Sequence, residues 1–257
     1  MSILLTEDRD AVRLLTLNRP EVRNALNSDL ISRLLRALDE AEGAKEVRAL
    51  VLTGSGKAFC AGLDLADLKA ISTRSTEENR RDSAHLATLL KRIYTFPKPV
   101  VATLNGHAVA GGAGLASVCD LVVMSEGAKL GYTEARIGFV AALVGVFLVR
   151  QVGEKAARDL LLSARLVRAD EAREMGLVNE VCAPEEVTAR ALARANELAQ
   201  NAPTSLAMTK QLLAAVPSMG LDEGLRYAAE VNALARTTDD LKEGVAAFLE
   251  KREPRWR

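Results

Sequence analysis

The chain is poor in the residues that build most metal, redox and nucleic-acid sites, with three cysteines, two histidines and one tryptophan among 257 residues. Cys60, Cys119 and Cys182 are odd in number, scattered and without paired spacing, which excludes a disulfide framework or zinc motif and reads as the reduced thiols of a cytoplasmic protein. His85 and His107 are too few for a histidine-rich site, so no metal is expected. Charge of one sign is also lacking. The 34 basic residues balance 34 acidic ones, so no strong field gathers nucleic acid or anionic lipid, and any anionic ligand must be held locally. The longest apolar run, residues 137–149, is thirteen residues, short of the roughly 20 that span a bilayer. It reads as a buried core helix, and no membrane partner is expected. The start, MSILLTEDRD, turns acidic at its seventh residue and has no long apolar segment, unlike a signal peptide.

What the chain does have is apolar content of 49%, ample for a packed interior. Residues 3–6 and 11–17 alternate around a polar turn and predict a hairpin. Residues 18–27 read as a loop, with a proline fixing one turn and asparagines suited to local side-chain bonds. Ser28 suits an N-cap for an amphipathic helix that Gly43 stops, with Leu30, Ile31, Leu34, Leu35 and Leu38 on one face. Strands are expected at 47–53, 100–104, 120–124, 129–132 and 177–181, and helices at 78–94, 154–162 and 168–175. Asp64 reads as the start of a short helix, and the polar residues 72–79 as a mobile loop able to cover a pocket. From residue 184 to 250 the pattern is almost wholly helical. The division expected is a core over 1–195 and a helical region over 196–257, in an α/β fold.

The most informative stretch is NGHAVAGGAGLASVCD, residues 105–120, which follows the apolar run 100–104. A buried strand that meets two adjacent glycines and then small helix-tolerant residues leaves free backbone amides at a helix start, where negative charge is welcome. A phosphate, a carboxylate or the oxygen of a reacting carbonyl would each suit it. GGAG is neither a P-loop nor a dinucleotide fingerprint, which argues against a nucleotide. A second glycine-bearing loop, GSGKAFCAGLDL at residues 54–65, also follows a strand. Two amide-bearing loops of this kind are the pattern of an oxyanion hole.

These two stretches, with LNRPEVRNALN at 17–27, GYTEARIGF at 131–139 and AFLEKR at 247–252, resemble the crotonase, or enoyl-CoA hydratase and isomerase, family over nearly the whole chain. The resemblance implies a crotonase-like spiral of ββα turns with a C-terminal helical trimerisation region, and a homotrimer or dimer of trimers. It implies acyl-CoA thioester substrates, with CoA part of the substrate and no separate cofactor. The oxyanion-hole amides would be those of Leu63 and Gly111. Lys57 would approach the CoA phosphates, with Ala61, Asp64 and Leu65 on the adenine side and Phe248 and Lys251 supplied by a neighbouring subunit.

Glu134 matches the second of the two catalytic glutamates of family hydratases, while the position of the first, three residues after Gly111, is Gly114 here. One glutamate is similar to the arrangement of family isomerases, in which a single carboxylate carries a proton between C2 and C4. Hydration through another group, and a non-catalytic acyl-CoA-binding or scaffolding role, are the alternatives that Gly114 raises. Asp120 is expected to orient the loop, His107 to sit at the surface, Cys60 and Cys119 to fill core space, and Trp256 to anchor the C-terminus in a subunit contact.

Overall fold

The computed structural model describes residues 2–256, apart from the side chain of Leu65. The expected hairpin is present: β1 (Leu4–Arg9) pairs antiparallel with β2 (Val12–Leu17). From there the chain winds in repeated turns, each laying one strand in a large sheet and the next in a small one. β3 (Ala49–Gly54), β5 (Val100–Leu104), β7 (Leu121–Ser125) and β10 (Glu180–Cys182) join the hairpin in a six-stranded sheet ordered β1-β2-β3-β5-β7-β10, parallel beyond β2. β4 (Ala58–Cys60), β6 (His107–Val109) and β8 (Lys129–Gly131) run parallel in the small sheet, closed by antiparallel β9 (Val167–Arg168). The expected ββα spiral is therefore the architecture observed.

Alternation along the parallel strands explains why both faces of the large sheet are covered. Ala49, Val51, Val101 and Val123 point to one side, where Val187, Ala191 and Ala195, four residues apart on α7 (Val187–Ala199), cover them. Leu50, Leu52, Val100, Ala102, Leu104, Val122 and Met124 point to the other. There they meet the main core, which includes Leu30, Ile31, Leu34 and Leu38 of α1 (Ser28–Gly43) and Leu89, Leu90 and Ile93 of α3 (Thr76–Tyr94).

Three local expectations need correcting. The cap of α1 is Asn27, whose side chain accepts from Leu30 N at 2.9 Å, so Ser28 lies inside the helix. The second half of the expected mobile loop at 72–79 is helical, because Ser75 and Glu78 form a reciprocal capping box that starts α3 at Thr76. The run 137–149 is not a buried helix. Gly138, at φ +73°, ends a 3-10 turn at Glu134–Ile137, and α5 (Ala142–Ser163) begins only afterwards, with Gly153 breaking its helical geometry. Ile137 and Val140 are 61% and 72% exposed, while Val144 and Leu148 alone in that run are buried. Trp256 is held within its own chain, donating its indole N–H to Gln200 O at 2.7 Å.

Beyond α7 come α8 (Pro203–Ala215), α9 (Leu221–Ala235) and α10 (Asp239–Glu250). Lys210 of α8 ties this tail to the spiral through Asp120 Oδ2 at 2.5 Å and the Lys98 carbonyl at 3.1 Å. The same Asp120 oxygen accepts from Val100 N at 2.7 Å, so Asp120 holds a backbone turn as expected. Leu221, Leu225, Leu234, Phe248 and Leu249 remain exposed on the tail.

Candidate active site

The register of the small sheet gathers the site. Cys60 of β4 lies beside Ala108 of β6, and Ala108 beside Leu130 of β8. In a parallel sheet, residues equally far beyond such a row leave at the same edge, the edge where ligands bind in α/β folds. Leu63 and Gly111 each lie three residues past the row and Glu134 four, so strand pairing sends all three segments out at the same edge.

The first loop turns at Gly62, φ +90°, a backbone that favours glycine. A β-carbon there would crowd Ala110 Cβ at 2.9 Å and lie 3.3 Å from Gly111 N, so the two loops touch backbone to backbone. Leu63 forms a parallel bridge with Leu26, in which Leu26 N donates to Gly62 O at 2.7 Å and Asp64 N donates to Leu26 O at 2.9 Å. Since the neighbours of Leu63 make those bonds, its own N–H faces away from Leu26. Gly111 opens α4 (Gly111–Ser117), so its amide precedes any helical acceptor. Ala110 before it is held at φ 52°, ψ −126°, a conformation costing a residue with a β-carbon roughly 1–3 kcal/mol. That strain turns the chain from β6 into the helix. Its own amide is fixed by donation to Gly131 O at 2.8 Å.

The segment 18–27 clamps the first loop, and its asparagine bonds reach much farther than the local ones expected. Asn24 is fully buried. Its Nδ2 donates to Ser55 O at 2.9 Å and Ala58 O at 2.8 Å, and its Oδ1 accepts from Arg19 N at 2.9 Å. The Arg19 guanidinium donates to Ala25 O and to Asp64 Oδ2, both at 2.7 Å. Asp64 Oδ1 meanwhile caps α2 (Leu65–Ile71) by accepting from Ala66 N at 2.9 Å. Both Asp64 oxygens are thus engaged within the chain, and these bonds hold its carboxyl below the usual carboxylate value. Sequence reasoning did not identify Arg19 or Asn24 as loop supports, since nothing local to residues 18–27 announces a partner some thirty to forty-five residues away.

Glu134 is the first residue of the 3-10 turn, 8% exposed, and its Oε2 has no hydrogen-bond partner. Burial raises its carboxyl above the ordinary 4.5, opposed by a bond from its own backbone amide. Beneath it, Ser117 Oγ donates to Ala113 O at 2.8 Å, so the buried Tyr132 hydroxyl, 2.6 Å from Ser117 Oγ, is the donor in that pair. Burial first, and then the charge of Glu134, push the phenol up and keep it neutral. A carboxylate whose affinity for its proton is raised by burial is suited to taking and returning one.

Of the other residues proposed to bind CoA, Lys57 is exposed in the turn before β4 and Ala61 is half-buried, while the Leu65 side chain lies outside the described residues. Phe248, 82% exposed, and Lys251, the left-handed cap of α10, lie on the helical tail. Cys60 is a core filler as expected, its thiol pushed up to about 12 by burial. His107 is exposed, with Nδ1 accepting from Lys129 N at 3.1 Å.

Comparison with known proteins finds relatives over nearly the whole chain. The family model described as enoyl-CoA hydratase/isomerase matches residues 7–257. A Thermus thermophilus protein described as "Putative enoyl-CoA hydratase" is 57% identical over 249 residues, 97% of this chain and 98% of that protein. The 2,3-dehydroadipyl-CoA hydratase of Escherichia coli is 34% identical over 255 residues, covering 99% and 98%. The crystal structure of enoyl-CoA hydratase from Mycobacterium smegmatis superposes with a TM-score of 0.92 at 35% identity, covering 100% of this chain and 99% of that one. The chain belongs to the enoyl-CoA hydratase/isomerase family of acyl-CoA enzymes.

Proposed function

We propose that this enzyme stabilises the enolate of an enoyl-CoA thioester, with the Leu63 and Gly111 amides on the thioester oxygen and Glu134 as its sole proton carrier. The observation that carries the reading is the buried Glu134 carboxyl, with one oxygen unpartnered, at the edge where both amides emerge. On a 3-enoyl thioester, Glu134 takes a proton from C2 and the electron pair moves onto the thioester oxygen. The amides stabilise that negative charge more than they stabilise the ground state. Glu134 then returns the proton to C4, the electrons move back, and the double bond rests between C2 and C3. The step moves only a proton and requires no redox group.

Hydration of a 2-enoyl thioester is the second reading, favoured by the hydratase descriptions of the relatives. Lys57, Ala61, Asp64 and Leu65 would hold CoA, Asp64 through backbone atoms since its carboxylate is engaged. Phe248 and Lys251 of a neighbouring copy would complete that site. The exposed leucines of the tail support a homotrimer or dimer of trimers, and the three free thiols support a cytoplasmic setting. The test supplies 3-enoyl-CoA and 2-enoyl-CoA separately and follows the conjugated thioester. Its appearance from the 3-enoyl substrate, lost in Glu134→Gln with binding retained, is the expected result. Retained turnover in that variant moves the base elsewhere. Binding without reaction of either substrate returns the non-catalytic reading.

A further inference from the structure

The place where a residue-114 side chain would project is already occupied. A β-carbon added at Gly114 would overlap Val144 Cγ2, with Val144 Cβ and Cγ1 at 3.5 Å. Val144 is 5% exposed, in the first turn of α5. A β-branched side chain on a helix has one strongly preferred χ1 rotamer, so it does not swing away cheaply. The packing of α4 on α5 is fixed one turn further along by Gln151, whose side-chain amide donates to Ser117 O. The same Ser117 meets Tyr132, two residues before Glu134. The three atoms nearest a residue-114 β-carbon all belong to the apolar end of Val144. The place of the missing carboxylate is filled by the β-branched end of a valine packed into the core.

We propose that Val144 is a specificity-determining residue: packed over Gly114, it denies water and any second water-holding group a position opposite Glu134, and so directs the enolate to double-bond migration rather than hydration. This rests on Glu134 being the proton carrier. Adding water across C2=C3 requires the water oxygen to bond C3 while its proton is taken up and C2 is protonated. With Val144 rather than a carboxylate against residue 114 to hold that water, the proton available to the enolate is the one Glu134 has just taken. That proton returns to C2 or goes to C4. Either outcome conserves the substrate's atoms.

The test compares Gly114→Glu, Val144→Ala and the double variant with wild type, measuring 3-hydroxyacyl-CoA formed from 2-enoyl-CoA and 2-enoyl-CoA formed from 3-enoyl-CoA. Gly114→Glu alone should fold poorly and the double variant should recover soluble, folded protein. Relative to wild type, the ratio of hydration to migration should rise about a hundredfold or more in the double variant, the low end of what a positioned acid–base group supplies. A folded double variant that still migrates the double bond with an unchanged ratio would overturn the role of Val144 and leave Glu134 as carrier intact. Wild-type hydration as fast as migration would also overturn it, because Val144 would then not exclude water. Failure of the carrier assignment has a separate signature, turnover surviving in Glu134→Gln.

Discussion

Replacing Glu134 by glutamine should make the protein more stable while disabling it, and the gain should depend on pH in a defined direction. Glu134 is buried, with Oε2 unpartnered. Such an orphan costs about 1–3 kcal/mol, and the charged form is the more expensive one to bury. Its folded carboxyl holds its proton to a higher pH than the unfolded chain, whose reference value is 4.5. As pH rises past 4.5 the unfolded state therefore gives up its proton first. Wild-type stability falls, by at most about 1.4 kcal/mol per pH unit, until the folded carboxyl also ionises. Glutamine does not titrate. The variant's advantage should be close to nil at pH 4.5, grow through the window above it and then level off. Each 1 kcal/mol of that advantage corresponds to roughly 2–4 °C in Tm for a chain of this size. Thermal unfolding of both proteins at one concentration from pH 4.5 to 9 measures it, with turnover assayed in parallel and expected to fall about 10²–10⁴-fold. A difference flat in pH, or an advantage that shrinks as pH rises, would refute the argument.

Two other perturbations address the scaffold. Asn24→Ala leaves the Ser55 and Ala58 carbonyls without their donor and should cost about 2–3 kcal/mol by denaturant unfolding, with kcat falling through loss of the Leu63 loop. Unchanged kcat in the folded variant would show that the segment 18–27 does not position that loop. Gly112→Ala should not fold, since its β-carbon would overlap the Cys60 carbonyl. Gly111→Ala should fold, because its β-carbon meets Leu26 Cδ1 at 3.7 Å and Gly62 Cα at 3.8 Å, both ordinary van der Waals contacts. Circular dichroism and gel filtration of the pair would show whether adjacent glycines differ as backbone packing requires.

The sequence made much of the fold legible where burial is periodic. The hairpin, α1, β5 and most of α3 lie close to where alternation and helical spacing put them, and the glycine loops announced the amides. What it hid was short or distant. β4 and β6 are three residues each, too brief for any period, and it is their register with the equally short β8, expected at 129–132, that aligns the two loops with the turn bearing Glu134. The apolar run 137–149 misled because hydrophobic content was taken as burial, whereas Gly138 interrupts it and much of it faces outward. The strained Ala110, the reach of Asn24 and the valine over Gly114 are long-range packing facts without a local signature. The positions of Leu63, Gly111 and Glu134 came from the family likeness, and strand register supplies the physical reason why their segments leave at one edge.

The overlap between a residue-114 β-carbon and Val144 also bears on how this lineage can change. A larger residue at 114 is barred while the valine stands, but a smaller one at 144 is tolerated first, at the modest cost of a cavity. Substitutions at the two positions are therefore accessible in one order and closed in the other. A gene drifting toward a second carboxylate must first lose two methyl groups ten residues beyond its remaining one, a step that by itself gives selection nothing to favour.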